Sequence, residues 1–230
     1  MGFEMHMRTD TQWDDYWRSK EAPVGGLYDF IAVLYRKFII KPSLDHFLRK
    51  YFQQGWRVLH AGCGSGQVDT DINRWLKITA LDISTQALAI YKRNNPGIEE
   101  VVHGDIFALP FDDKSFDGVY NLGVMEHFTV EDIRKVLKEL RRVLKPAGKI
   151  VLFWPPESGL SVVFLKMVHF ILNDVLKRSV QLHPAEITRI QSRRHVKAIC
   201  ESAGGLEMLD YYFGPKDLFT QAVIVLGRRD

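Results

Sequence analysis

The sequence predicts an α/β fold with a mostly parallel sheet closed by an antiparallel pair, and three observations carry that prediction. From Arg57 onward, short apolar runs alternate with helical patterns, the sign of repeated strand–helix–strand units. Three glycines in RVLHAGCGSGQ (57–67) follow the first of those runs, where a strand has to bend sharply. The last two runs, LEMLDYYF and FTQAVIVLG, are separated by only a few residues, too few for the crossover that parallel strands require, so they pair antiparallel as a hairpin.

Taken in order, Leu27, Phe30, Ile31, Leu34, Tyr35, Phe38 and Ile39 recur at helical spacing, followed by a second helical pattern through Leu44, Phe47 and Leu48. Residues 1–55 are therefore expected to be a helical cap laid over the sheet. RVLHA, ITALDI, EEVVHGD, FDGVYNL and KIVLFW are five predicted strands of a core spanning residues 56–154. Ser84 is placed to cap a helix through Ala87, Leu88 and Tyr91. Between the fourth and fifth strands, Thr129 and Asp132 form a capping box ahead of Ile133, Val136, Leu137, Leu140, Val143 and Leu144, and KPAGK stops that helix with a proline and a glycine. Residues 155–190 interrupt the path to a helix beginning near Ser192. The centre of this insert, VVFLKMVHFILNDVL (162–176), is apolar on almost every side, so it is expected to be buried, to face substrate or to meet another surface. Residues 191–230 complete a single domain with a helix and the hairpin.

Composition narrows the function. A chain of 230 residues suits one domain with a substantial core. Its 31 basic and 28 acidic residues leave a formal charge of +3, too thin an excess to make nucleic acid the expected partner; RRH at 193–195 reads as a solvated helix face. Cys63 and Cys200 are the only cysteines, with no CxxC pair and no zinc spacing, so no metal is expected and a reducing compartment fits. The opening MGFEMHMRTD has no charged region followed by an apolar core, His6 spoils a myristoylation signal, and no apolar run is as long as a membrane span. A cytoplasmic location is the expectation.

The glycine turn could serve a phosphate, a dinucleotide or a sulfonium compound. The dinucleotide fingerprint would put its third glycine at position 67, which is Gln67, and no Gly-Lys-Ser or Gly-Lys-Thr of a P-loop is present. Between Gly62 and Ile72 there is no lysine or arginine, while Asp69 and Asp71 are acidic, so the loop suits a neutral or cationic ligand better than a phosphate. Asp82, at the end of the second strand, can accept both hydroxyls of a ribose. Asp105, just beyond the third, or its neighbouring backbone, can recognise an adenine edge through the exocyclic amine.

With those residues in place, the chain resembles the class I S-adenosylmethionine-dependent methyltransferases of small-molecule type. VLHAGCGSG (58–66), LDIS (81–84), GDIFALPFDDKSFDGVYNLGVMEHF (104–128) and LRRVLKPAGKIVLFWP (140–155) carry the resemblance, and their order is far more specific than any one glycine turn. It implies a Rossmann-like seven-stranded sheet and S-adenosylmethionine as cofactor, leaving S-adenosylhomocysteine as product. The turn through Gly62, Cys63, Gly64 and Gly66 would face the methionine part, and Asp82 with Ile83 would hold the ribose. Asp105 and Ile106 would address adenine, and Asn121 and Leu122 would line the floor beneath the sulfonium. The family usually has an acidic residue where this chain has His60, which helps fix the methionine amino group. A neutral imidazole there can accept one hydrogen bond, whereas a protonated one repels an ammonium.

Several residues have plainer readings. Asp112, Asp113 and Asp117 lie in a turn-forming stretch, and Cys63 reads as a small filler of the glycine turn. Glu126 and His127 follow the fourth strand at the sheet edge where ligands bind in such folds, which makes His127 the candidate general base. WDDYW (13–17) and Tyr28 are placed to lid the methyl donor, and His169 and His183 fall in the insert. The expected partner is a small-molecule acceptor, with the chain a monomer or homodimer. FIAVLYRKFIIK (30–41) mixes apolar and basic residues and keeps a lipid-like acceptor at a membrane surface as a less favoured alternative. A non-catalytic interaction protein on the same fold is the other.

Overall fold

The computed structural model describes residues 9–21, 33–163, 184 and 186–229. Its strands are β1 (Arg57–Ala61), β2 (Lys77–Asp82), β3 (Glu100–His103), β4 (Phe116–Leu122), β5 (Leu144–Trp154), β6 (Leu206–Tyr212) and β7 (Ala222–Arg228). All seven form one sheet in the order β3-β2-β1-β4-β5-β7-β6. Pairing is parallel from β3 to β5, and β7 runs antiparallel between β5 and β6. Strand order reverses at β1, so β1 and β4 lie side by side while their connections leave in opposite directions. A cleft at the carboxyl ends of the strands follows from that switch.

The central strands read as continuous apolar runs because both faces are covered. In β5, Ile150, Leu152 and Trp154 face one layer and Val151 and Phe153 the other. The first layer is built on α4 (Val130–Val143) and α5 (Arg193–Ser202), through Ile133, Val136, Leu137, Leu140, Val196 and Ile199. The second is α2 (Lys41–Tyr51), which buries Leu44, Phe47 and Leu48 against Val58, Ile78 and Tyr120. Helix α3 (Thr85–Asn94) packs Leu88 and Tyr91 beside Ala80 and Cys63. Ser84, Thr129 and Ser192 each accept the backbone N–H that a helix N-terminus leaves unpaired.

Three sequence expectations change. The two helical patterns around Lys41 are one continuous helical run over described residues 33–51. The backbone widens into a π-turn at Arg36–Ile40, with Lys41 N–H reaching Arg36 O, and so passes Pro42 without breaking. Leu144 is not the last helical residue but the first of β5, where it pairs with Phe116; Pro146 biases the residue before it toward extended backbone. The bend at KPAGK appears instead as a register shift in the β4–β5 ladder. Within the expected N-terminal helical cap, α1 (Asp10–Glu21) occupies the WDDYW stretch. Its start is a reciprocal capping box, Gln12 N donating to Thr9 Oγ1 and Thr9 N to Gln12 Oε1. Most of 162–176, together with Tyr28, His169 and His183, lies outside the described residues.

Leu140 is fully buried between α4 and the sheet. Leu140→Ala is expected to lower unfolding stability by about 2–5 kcal/mol in urea titrations with an unchanged m-value.

Candidate functional site

A cavity of about 360 Å³ opens at the carboxyl ends of β1, β2 and β4, within the size range of small-ligand sites. Its floor is the glycine turn. Gly62, Gly64 and Gly66 all have left-handed backbone, with φ of 75°, 52° and 62°. A side chain at these positions would collide with Val124, Trp17 and Tyr91 respectively. Gly62 N and Cys63 N donate to Leu81 O at 2.8 and 2.9 Å, which binds the turn to β2. Cys63 lines the cavity, and burial pushes its thiol well above the usual range, so it is a poor nucleophile.

Asp82 joins three elements. One carboxylate oxygen accepts Gly64 N at 2.8 Å and the other accepts Ser84 N at 2.9 Å, so the end of β2, the glycine turn and the start of α3 share one anion. Burial raises its pKa, opposed by those two hydrogen bonds. Beside it on the wall are Ile83, Asp105 and Ile106. Asp105 Oδ1 accepts Phe107 N at 2.9 Å, holding a tight turn after β3.

At the end of β4, Leu122 is on the cavity wall, whereas Asn121 is fully buried behind it and donates to Ala61 O at 2.9 Å. His127 lines the cavity from a 3-10 turn, Met125–His127, and meets Trp13 edge-on with centroids 5.4 Å apart. His60 lines it from β1, its Nδ1 2.6 Å from Asp69.

Helix α1 forms the roof. Trp13, Tyr16 and Trp17 line the cavity, and Trp17 sits over Gly64. Asp14 fastens α1 to α3 by accepting Ser84 Oγ at 2.5 Å, Thr85 Oγ1 at 3.0 Å and Gln86 N at 3.1 Å. Partial burial opposes ionisation of Asp14, but those bonds and the charge of Arg18 outweigh it and hold its pKa below the usual range. On the far side stand Tyr35, Arg36, Pro184 and Gln221. Arg36 is the one lysine or arginine among the described lining residues, while Asp82 and Asp105 are acidic. The cavity wall thus pairs a bare-backbone floor and two carboxylates with aromatic rings above, a set suited to a neutral or cationic nucleoside.

Asp113 is a turn residue remote from the cavity, whereas Asp117, expected in the same turn, is the second residue of β4; they pair with Arg142 and Lys145 at 2.9 and 2.6 Å. Glu126 was singled out beside His127, but it is not on the wall. It is buried with Oε2 unpartnered among the described residues, while its backbone carbonyl accepts Ile187 N and Thr188 N from the far end of the insert. Tyr35, Arg36 and Gln221 had no sequence signal as site residues, because each arrives from an element whose docking no local pattern reports; Asp69 was legible only as part of an acidic loop and Asp14 only as part of WDDYW, not in the roles they take here.

The geometry agrees with what the chain is similar to. A family model described as a methyltransferase domain matches residues 59–152. YrhH of Bacillus subtilis (strain 168) is 29% identical over 163 residues, 66% of this chain and 89% of that protein. The demethylmenaquinone methyltransferase of Staphylococcus epidermidis is 36% identical over 106 residues, and the matched part is 43% of each chain. The magnesium protoporphyrin IX methyltransferase of Synechocystis, crystallised with bound SAH, superposes with a TM-score of 0.66 over 96% of both chains at 16% identity, which shows a shared fold.

Burial pushes the Glu126 carboxyl up to about 8 from an ordinary 4.5. The folded state keeps a proton that the unfolded chain releases, so this group's contribution is full below 4.5 and is lost as pH rises toward 8. Glu126→Gln is expected to unfold with a free energy about 2–4 kcal/mol above the unmutated protein at pH 8.5, the two converging near pH 4.5. A gap independent of pH would contradict a buried neutral carboxyl.

Proposed function

We propose that the chain, whose residues 59–152 match a methyltransferase domain, is a class I S-adenosylmethionine-dependent methyltransferase that transfers a methyl group to a small-molecule acceptor by in-line displacement. The observation that carries this reading is the shared Asp82 carboxylate, which holds the bare glycine turn against the end of β2. At Gly62 and Gly64 a side chain would run into Val124 and Trp17 of the cavity wall, and at Gly66 into Tyr91 behind it, and the buried Asp82 retains acceptor capacity beyond its two backbone donors. The residues present therefore fit an adenosyl sulfonium compound.

In this reading residues 56–154 are the cofactor-binding core. Asp82 and Ile83 hold the ribose, Asp105 and Ile106 the adenine, and His60, Gly62, Cys63, Gly64 and Gly66 bound the amino-acid end. Leu122, backed by Asn121, forms the floor, and Trp13, Tyr16 and Trp17 exclude water from above. The cofactor supplies a methyl group already activated by a positive sulfonium. What the chain contributes is chiefly alignment, since orientation alone is a large part of such a displacement. His127, at the cavity wall against Trp13, is the candidate base for an acceptor that must lose a proton. The described parts of the two cap segments supply the acceptor side through Tyr35, Arg36 and Pro184.

A second reading, a lipid-like acceptor taken at a membrane surface, is favoured by one exposed apolar group. Leu34, Phe38, Leu160, Leu218 and Phe219 are exposed; Leu160 N bonds Phe219 O, and the Arg36–Ile40 turn packs on Pro215–Asp217. Lys37 and Lys216 flank them. Among the described residues no helix is long and apolar enough to cross a membrane. The Staphylococcus relative is named for a demethylmenaquinone acceptor, which is consistent with an apolar substrate. Flotation with anionic vesicles is expected to carry the chain upward in this reading and Phe38→Ser to abolish it; absence of flotation leaves the acceptor in solution.

Calorimetry with S-adenosylhomocysteine tests the main proposal. Binding is expected, and Asp82→Ala should weaken it by about tenfold to a hundredfold, the worth of hydrogen bonds to a charged group. No heat with the unmutated protein would favour the non-catalytic interaction protein.

A further inference from the structure

Behind the cavity lies a buried acid whose place in the site neither the family model nor the glycine turn assigns. His60 is 1% exposed, and its Nδ1 lies 2.6 Å from Asp69 Oδ2, a side chain with no exposure at all. The same carboxylate oxygen accepts the Tyr91 hydroxyl at 2.6 Å. Tyr120 stacks on the imidazole with ring centroids 4.2 Å apart, fixing the ring plane. Asp69 Oδ1 has no hydrogen-bond partner among the described residues, and Asp69 is not on the cavity wall.

This network decides which imidazole nitrogen carries the proton. An ionised carboxylate only accepts, so the short contact requires Nδ1 to be N–H. Burial and the Asp69 charge push the Tyr91 hydroxyl far above its usual range, so it too stays a donor to the acid. With Nδ1 turned into the protein, Nε2 is the ring nitrogen left for the cavity. In the neutral ring Nε2 is a bare acceptor, and it carries the influence of a buried negative charge behind it. No lysine or arginine between Gly62 and Ile72 competes for that charge.

We propose that Asp69 is a positioning residue which, through His60, makes the amino-acid end of the cavity an acceptor site for the α-ammonium of the cofactor. The inference rests on the reading of the cavity as an S-adenosylmethionine site. The acid is thereby set nine residues downstream of His60 and acts on the ligand through the ring. Tyr91 couples the acid to the glycine turn as well: its ring abuts Gly66, and Asn95 Nδ2 donates to Gly66 O at 2.9 Å. Replacing Asp69 by asparagine lets an amide N–H face Nδ1, which favours the opposite tautomer and turns Nε2 into an N–H that opposes an ammonium.

Two ligands separate this role from a structural one. S-adenosylhomocysteine carries the ammonium, and 5′-methylthioadenosine keeps the nucleoside thioether but lacks the amino-acid carbons. In calorimetry Asp69→Asn is expected to weaken S-adenosylhomocysteine by about tenfold to a hundredfold while 5′-methylthioadenosine binds as before. Equal weakening of both, or of neither, would overturn the proposal. Histidine ¹⁵N NMR on the unmutated protein needs no variant: His60 is expected as the Nδ1–H tautomer, its Nε2 resonance moving with S-adenosylhomocysteine and not with 5′-methylthioadenosine. An Nε2–H tautomer would also overturn it. If the unmutated protein binds neither ligand, the cofactor reading itself fails, and this inference with it.

Discussion

The carboxylate of Asp82 is the constraint on which the site depends. It ends β2 at the sheet edge and accepts Gly64 N on one side and Ser84 N on the other, so a single buried anion sets the separation between the glycine turn and the start of α3. Burying a charged group is unfavourable unless it is hydrogen-bonded. Here the donors are backbone groups that no helix or strand would otherwise satisfy. The turn can take that path only because Gly62, Gly64 and Gly66 adopt left-handed backbone without a Cβ. Sheet, turn and helix cap are in this sense one hydrogen-bonded unit, and the cavity is the space they leave.

A second acid closes the unit from above. Asp14 brings α1 onto the N-terminus of α3, where exposed N–H groups and the helix dipole favour a negative charge. The consequence is geometric: Trp17 comes over Gly64 and Trp13 onto His127, which converts an open strand edge into a roofed cavity. The two acids flank Ser84, whose hydroxyl donates to Asp14 while its oxygen accepts Ala87 N and its backbone N–H reaches Asp82. The roof and the floor therefore meet at one residue.

Polar groups behind the cavity follow a different logic from those on its surface. Asp69, Tyr91 and His60 are shielded from solvent, and in such surroundings a hydrogen bond is stronger and an unpaired group more costly. Glu126 stays neutral under the same pressure, whereas Asp69 draws donors from His60 and Tyr91. Two buried acids near the same end of the sheet thus differ in setting: burial outweighs the backbone hydrogen bond and the Arg189 charge at Glu126, whereas Asp69 lies against two side-chain donors.

Most of the architecture was legible in the sequence because it rests on local rules. Apolar runs buried on both faces predict β1, β2, β4, β5 and β7; the caps at Ser84, Thr129 and Ser192 locate helix starts; the short link between the last two runs predicts their antiparallel pairing. Asp82 and the glycines were legible too, since a turn after a strand is a local feature. The boundary at Leu144 and the unbroken run through Pro42 were misread because cross-strand pairing and a π-turn override local propensity.

By itself, then, the sequence determined the sheet, the turn and the two acids at consecutive strand ends, all matters of near-neighbour backbone chemistry. WDDYW was legible as a lid, but only the tertiary structure decided that Asp14 fastens it to α3, that Glu126 lies behind the wall and that Asp69 stands behind His60. Those outcomes depend on contacts between side chains distant along the chain or carried on different elements, which packing brings together and no periodicity records.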